Sequence, residues 1–143
     1  MWYVVDTNLL SEPGKPNPDE RVVSWLREMR PTCVVAAITL AELRYGLEQL
    51  PESRRSRTLN RQLDRLLEDL ERRILPFDDE VAVEWGRYAA ECEAAYGSGW
   101  MERVDLRDSL IAATARAHGF AVATRNGRHF PFCRTVNPWS SQP

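Results

Sequence analysis

Apolar and polar positions change places along this chain in short blocks, and each change predicts an element. Met1-Trp2-Tyr3-Val4-Val5 is an apolar run that stops at Asp6-Thr7-Asn8. That form suits an inner parallel strand, Tyr3–Val5, delivering a carboxylate to the carboxyl edge of a sheet. Val22, Val23, Leu26 and Met29 share one face of a helix over residues 18–29, and residues 33–37 read as a second strand. Thr39 follows as a helix cap. With Glu42 three residues later it makes a Thr-x-x-Glu capping-box pattern that runs on through Leu43 and Leu47 toward Pro51.

The middle of the chain is helical over residues 52–73. Leu59, Leu63, Leu66, Leu67 and Leu70 form one stripe at helical spacing, and Arg57, Arg61 and Arg65 stand on the opposite face with Glu68 and Asp69 placed to pair with Arg65. Residues 73–75 make a short strand segment ended by Pro76. Asp78 or Asp79 caps the next helix, which carries Val81, Val83, Trp85, Tyr88 and Cys92. After Gly97-Ser98-Gly99 a helix runs over residues 108–118, closed by Gly119, and residues 120–123 form a strand that ends in the turn Thr124-Arg125-Asn126-Gly127. Strands interleaved with helices predict an α/β fold of three layers, α/β/α, with a mainly parallel central sheet.

Composition narrows the picture only a little. A chain of 143 residues with 43% hydrophobic content is long enough to bury a core, and no linker or repeat divides it, so one domain over residues 1–143 is expected. The net charge of −2 gives no global attraction for nucleic acid, so any polyanion must be held locally. Cys33, Cys92 and Cys133 are odd in number and widely spaced, which predicts neither a disulfide framework nor a cysteine zinc site and suits the reduced cytoplasm. No apolar run is long enough to span a membrane, and no signal peptide or anchor is expected.

Three acids sit where buried segments meet turns: Asp6, Glu42 and Asp108. Carboxylates brought together repel one another unless a cation balances them, and a hard ion such as Mg2+, or Mn2+, is the natural partner. Such an ion suits hydrolysis of a phosphodiester. Each acid also has a structural role open to it: Asp6 as a turn or cap residue, Glu42 in its capping box, and Asp108 as a helix cap in competition with Asp105. Asn126 fits water positioning and turn chemistry equally well. His118 suits a helix end, whereas His129 is open to phosphate contact, proton transfer or simple exposure.

Taken in order, several segments resemble the PIN-domain nucleases, and within them the VapC- and FitB-type toxins of bacterial toxin–antitoxin pairs. They are Val4-Val5-Asp6-Thr7-Asn8, Ile38-Thr39-Leu40-Ala41-Glu42-Leu43 with Gly46, Leu75-Pro76-Phe77-Asp78 before Trp85-Gly86, and Asp108-Ser109-Leu110-Ile111-Ala112-Ala113-Thr114-Ala115. Ala123-Thr124-Arg125-Asn126 and Val136-Asn137-Pro138-Trp139 complete the set. The resemblance implies that Asp6, Glu42 and Asp108 hold Mg2+ or Mn2+ and that Thr7 and Asn8 orient Asp6, and Thr7, Asn8, Thr124 and Arg125 are the expected substrate-binding residues. Asn126 stands where many members carry a fourth acid, which favours a single ion. Thr124 and Asn126 are expected to place the attacking water, and Arg125 to contact an RNA phosphate. The implied partners are an RNA substrate, a cognate antitoxin that inserts a segment into an apolar groove, and a second copy in a homodimer. The arginines at 54, 55, 57, 61 and 65 are open to reading as an RNA-binding stripe or as a solvated face, since the chain has one lysine against eighteen arginines.

Two other readings stay open. One is a regulatory binding subunit of a FitAB-like DNA-binding complex with weak or no nuclease activity. The other is phosphoaspartyl transfer, against which stand the Thr7-Asn8 that follows Asp6 and the absence of a lysine beyond Lys15.

Overall fold

The computed structural model describes residues 1–140. Its strands are β1 (Tyr3–Val5), β2 (Cys33–Ala36), β3 (Ile74–Leu75), β4 (Ala121–Ala123) and β5 (Thr135–Val136). The helices are α1 (Thr7–Ser11), α2 (Glu20–Met29), α3 (Ala37–Glu48), α4 (Arg54–Asp69), α5 (Asp79–Tyr96) and α6 (Leu106–His118). All strands pair in parallel in the order β3-β2-β1-β4-β5, so the expected α/β class and parallel sheet are present.

The strand pleat splits the core into two layers, because successive side chains point to opposite faces. Val4, Val34, Ala36 and Val122 pack on one face against Tyr88 and Cys92 of α5 and Ile111, Ala112 and Ala115 of α6. Val5, Cys33, Val35 and Ala123 pack on the other against Leu9, Leu10, Val22, Leu26, Leu63, Leu67 and Leu70. The three free cysteines are Cys33, Cys92 and Cys133, the first two buried in these layers.

Local chemistry sets most helix ends. Asp19 accepts the Arg21 N–H at 2.9 Å and Asp78 that of Val81 at 3.0 Å, while Ser53 and Ser56 form a reciprocal capping box on α4. Gly119 closes α6 in the left-handed region at φ 70°, where a side chain would be strained. Tyr88 is fully buried, Trp85 and Tyr96 are half-buried, and Val83 is exposed.

Several boundaries and pairings differ from the sequence reading. α2 begins at Glu20, β2 stops at Ala36 and β4 starts at Ala121. Thr39 does not cap α3: the helix starts directly off β2 at Ala37 with Ala36 at the cap position, and Thr39 is buried in the first turn with its hydroxyl unpartnered. Glu42 is therefore released from the capping box. Residues 52–73 are not one helix, because Glu71 and Arg72 take positive φ values of 55° and 50° and reverse the chain after Asp69. Arg65 makes neither expected pair; Glu68 meets Arg72 and Asp69 meets Arg30, each at 3.8 Å. β5, two residues without an apolar period, was not legible in the sequence.

Candidate active site

The strand order places β1 between β2 and β4, so the chain's path departs in both directions from the carboxyl end of β1. A crevice at such a point is where open parallel sheets hold ligands. Asp6 stands at this point. Its N–H donates to Ala123 O at 3.0 Å, continuing the β1–β4 ladder one residue past the strand. Its Oδ1 accepts the Thr7 backbone N–H at 2.7 Å, which caps α1, and its Oδ2 accepts the hydroxyl of buried Thr124 at 2.7 Å. The cap and the site positions of Asp6 are thus the same position.

Glu42 reaches this edge from the second turn of α3. One of its oxygens, Oε1, is buried without a partner, and the other lies 3.7 Å from Nη1 of Arg107. Burial pushes its carboxyl above the ordinary value, with the charges of Asp6 and Asp105 adding to the effect and Arg107 opposing it. Asp108 lies in the first turn of α6, which starts at Leu106 with Asp105 as its cap, so Asp105 takes the structural role and Asp108 is free of it. Burial, then the charges of Asp6, Asp105 and Glu42, push the Asp108 carboxyl up to about 7 against the pull of Arg107. His129 brings Nδ1 to 3.6 Å from Asp108 Oδ2.

The position of Asp108 is fixed from below. Trp85 of α5 donates its indole N–H to Ser109 Oγ at 2.9 Å, and that hydroxyl donates to Leu106 O at 2.5 Å. These bonds tie the first turn of α6 to the neighbouring helix.

An orphaned buried carboxylate oxygen together with a mutually repelling set of acids fits a divalent cation. Among the described residues no three carboxylate, imidazole or thiol groups already stand together at ion-binding distances.

The remaining candidates divide. Thr7 contributes its backbone N–H to Asp6, not its hydroxyl, and Asn8 does not bond Asp6: its Oδ1 is buried and unpartnered. Thr124 has its hydroxyl proton committed to Asp6, and its oxygen accepts the Asn126 N–H at 3.1 Å, so it positions a carboxylate and the turn. Arg125 is exposed, with its guanidinium 5.5 Å from the Trp139 ring centroid. Asn137 accepts the Trp139 N–H at 2.9 Å and donates to Arg125 O at 3.4 Å, so the Val136–Trp139 segment braces the turn after β4. The sequence reading missed Arg107. The available signal was its place between two acids, Asp105 and Asp108, on one helical turn.

Beside the acids lies a groove of about 550 Å³ between α1, α3 and α4, lined by Leu10, Leu43, Leu47, Leu59, Leu63 and Leu66. Thr7 and Glu42 belong to both its lining and the acid edge. Arg44 of α3 bonds Asp64 of α4 at 2.7 Å and holds the two walls together. Arg57, Arg61 and Arg65 are exposed, and of these Arg65 borders the groove.

A parallel five-stranded sheet that carries acids to the carboxyl edge of its central strand defines the class, and the comparison with known families agrees with it. The chain belongs to the PIN-domain family, whose model matches residues 3–135. It is 38% identical over 140 residues to VapC ribonuclease Y4jK of Sinorhizobium fredii, covering 95% of this chain and 96% of that protein. It is equally 38% identical over 141 residues to toxin FitB of Neisseria gonorrhoeae, covering 95% and 97%. A solved structure of FitAB bound to an IR36 DNA fragment superposes with a TM-score of 0.87 at 32% identity, covering 99% of this chain and 98% of that one.

Proposed function

We propose that this chain is the toxin of a toxin–antitoxin pair and acts as a Mg2+-dependent endoribonuclease that hydrolyses RNA phosphodiester bonds. The observation that carries this reading is the unpartnered, buried Glu42 oxygen beside an Asp108 carboxyl raised to about 7 by burial and by its acidic neighbours. Both features describe a site short of positive charge. The names of the relatives, a VapC ribonuclease and a toxin, support the same activity.

Asp6, Glu42 and Asp108 would hold Mg2+, with Mn2+ as a substitute. When bound, the ion offsets the charge that develops on a phosphodiester during in-line attack by water. Thr124 and the Thr7 N–H fix both oxygens of Asp6, and the free oxygen of Glu42 is the ready donor. Asn126 brings a neutral amide to the turn after β4, which limits the charge to three acids and suits one ion. Arg125, exposed on that turn, supplies a cation for the RNA phosphate. The apolar groove takes a segment of the antitoxin, close enough to Glu42 for a basic antitoxin side chain to compete with metal and substrate. A homodimer is the expected assembly.

The test is cleavage of total RNA by the purified protein with Mg2+, with Mn2+ and with chelator, beside Asp6→Ala and Asp108→Ala. Metal-dependent fragments that both variants fail to produce are expected. Metal-dependent cutting retained by both would remove the assignment.

A second reading, a regulatory subunit with weak nuclease activity, is favoured by the neutral Asn126 and by the DNA-bound FitAB neighbour. Asn126→Asp separates the two: a large gain in cleavage identifies a weakened enzyme, and none leaves three acids sufficient.

A further inference from the structure

We propose that Arg107 is the resident counter-cation of the acid cluster, holding Glu42 in the metal-free protein and giving it up when a divalent ion binds; this rests on the metal-site reading above. Arg107 occupies the second position of α6, between the cap Asp105 and Asp108. Its backbone N–H and its Nε both turn toward Asp105 Oδ1, at 2.8 and 3.3 Å, which aims the far end of the guanidinium across to α3. There Nη1 stands 3.7 Å from Glu42 Oε2. Among the described residues no other lysine or arginine forms an ion pair with Asp6, Glu42 or Asp108.

The geometry suits a competitor rather than a permanent partner. The Arg107 side chain is 59% exposed, whereas that of Glu42 is 20% exposed. The guanidinium can leave into water at little cost, and the carboxylate cannot. Arg107 moreover approaches Glu42 only at Oε2 and beyond hydrogen-bond distance, with Oε1 left unpartnered. A divalent ion uses both the charge and the free oxygen, so it displaces a monovalent side chain that satisfies only one of them. An exposed pair of this kind changes affinity by roughly fivefold at most. Arg107 therefore tunes the metal concentration at which the site fills and does not block it.

The experiment is Mn2+ binding by the whole protein, followed through the electron paramagnetic resonance signal of free Mn2+, with cleavage measured separately. Wild type is compared with Arg107→Gln and with Arg125→Gln, which removes the same charge from an exposed arginine that makes no ion pair among the described residues. Arg107→Gln is expected to lower the Mn2+ Kd about three- to fivefold, and Arg125→Gln to leave it within twofold. Equal or weaker Mn2+ binding by Arg107→Gln overturns the proposal. So does an equal gain in both variants, which would reduce Arg107 to a general field effect. If wild type cuts RNA with metal and Arg107→Gln binds Mn2+ as wild type does, only this inference fails. If no form binds Mn2+, it fails together with the metal-site reading.

Discussion

The hydroxyl of Thr124 donates to Asp6 Oδ2 at 2.7 Å, joining two residues 118 positions apart at the ends of adjacent strands β1 and β4. Asp6 is 8% exposed and Thr124 fully buried, so no solvent stands ready to replace the bond. Thr124→Val is expected to cost about 1–3 kcal/mol of stability by leaving a buried carboxylate oxygen unpaired. It should also reduce RNA cleavage by roughly tenfold or more, since an unpositioned ligand weakens metal affinity or activity on that scale. Thr124→Ser keeps the donor and should retain most of both. Denaturant unfolding and cleavage assays on the two variants check this; equal loss in both would assign the effect to packing.

The raised Asp108 carboxyl makes stability depend on pH in the absence of metal. Its folded pKa of about 7 lies above the ordinary value of 3.8, so the folded state holds a proton that the unfolded chain has released. Stability is then greatest at the acid end of this interval and falls as pH rises from about 4 to about 7. Glu42 is raised as well and acts in the same sense. Chelated protein should be less stable, and so have a lower Tm, at pH 8 than at pH 5. Mg2+ should restore the loss at pH 8, and Asp108→Asn should remove most of the dependence. A Tm that rises between pH 5 and pH 8 under chelation would contradict the account.

Trp85 acts on Asp108 through its neighbour. Trp85→Phe keeps the ring's apolar body and deletes the N–H that reaches Ser109 Oγ at 2.9 Å. A loss of about 1 kcal/mol is expected, with Ser109→Ala costing a similar amount and the double variant little more than either. Full additivity in thermal or chemical unfolding would show that the bond does not couple α5 to α6.

If the groove takes the antitoxin as proposed, neutralisation and catalysis can be separated there. Leu66 lines it and is not among the acids' partners, so Leu66→Glu should prevent capture by the antitoxin while leaving metal-dependent cleavage near the wild-type level. Co-purification with the cognate antitoxin and RNA cleavage read the two properties independently. Unchanged capture would place the antitoxin elsewhere.

Much of this molecule was written in local patterns. The apolar run ending at Asp6, the leucine spacing of α4, the Asp78 cap and the Gly119 stop each depend on residues close in sequence, and the structure keeps all of them. Thr39 shows where local pattern fails. Its capping-box signature with Glu42 is sound chemistry for an isolated helix, yet β2 feeds α3 so directly that the helix has begun before Thr39 and buries it. Arg65 fails for a related reason, because Glu68 meets Arg72 in the turn after α4 and Asp69 meets Arg30 at the end of α2.

By itself, the sequence determined the α/β class, the order of the main strands and helices, and which acids are candidates for one edge, since periodicity and capping act within a few residues along the chain. Only the tertiary structure decided that Thr124 holds Asp6, that Arg107 faces Glu42, that His129 stands by Asp108, and that Glu42 keeps a buried oxygen without a partner. These facts depend on strand order and helix docking, which bring together residues that no local spacing relates. Burial and mutual charge arise only there, and with them the raised carboxyls on which the proposed chemistry rests.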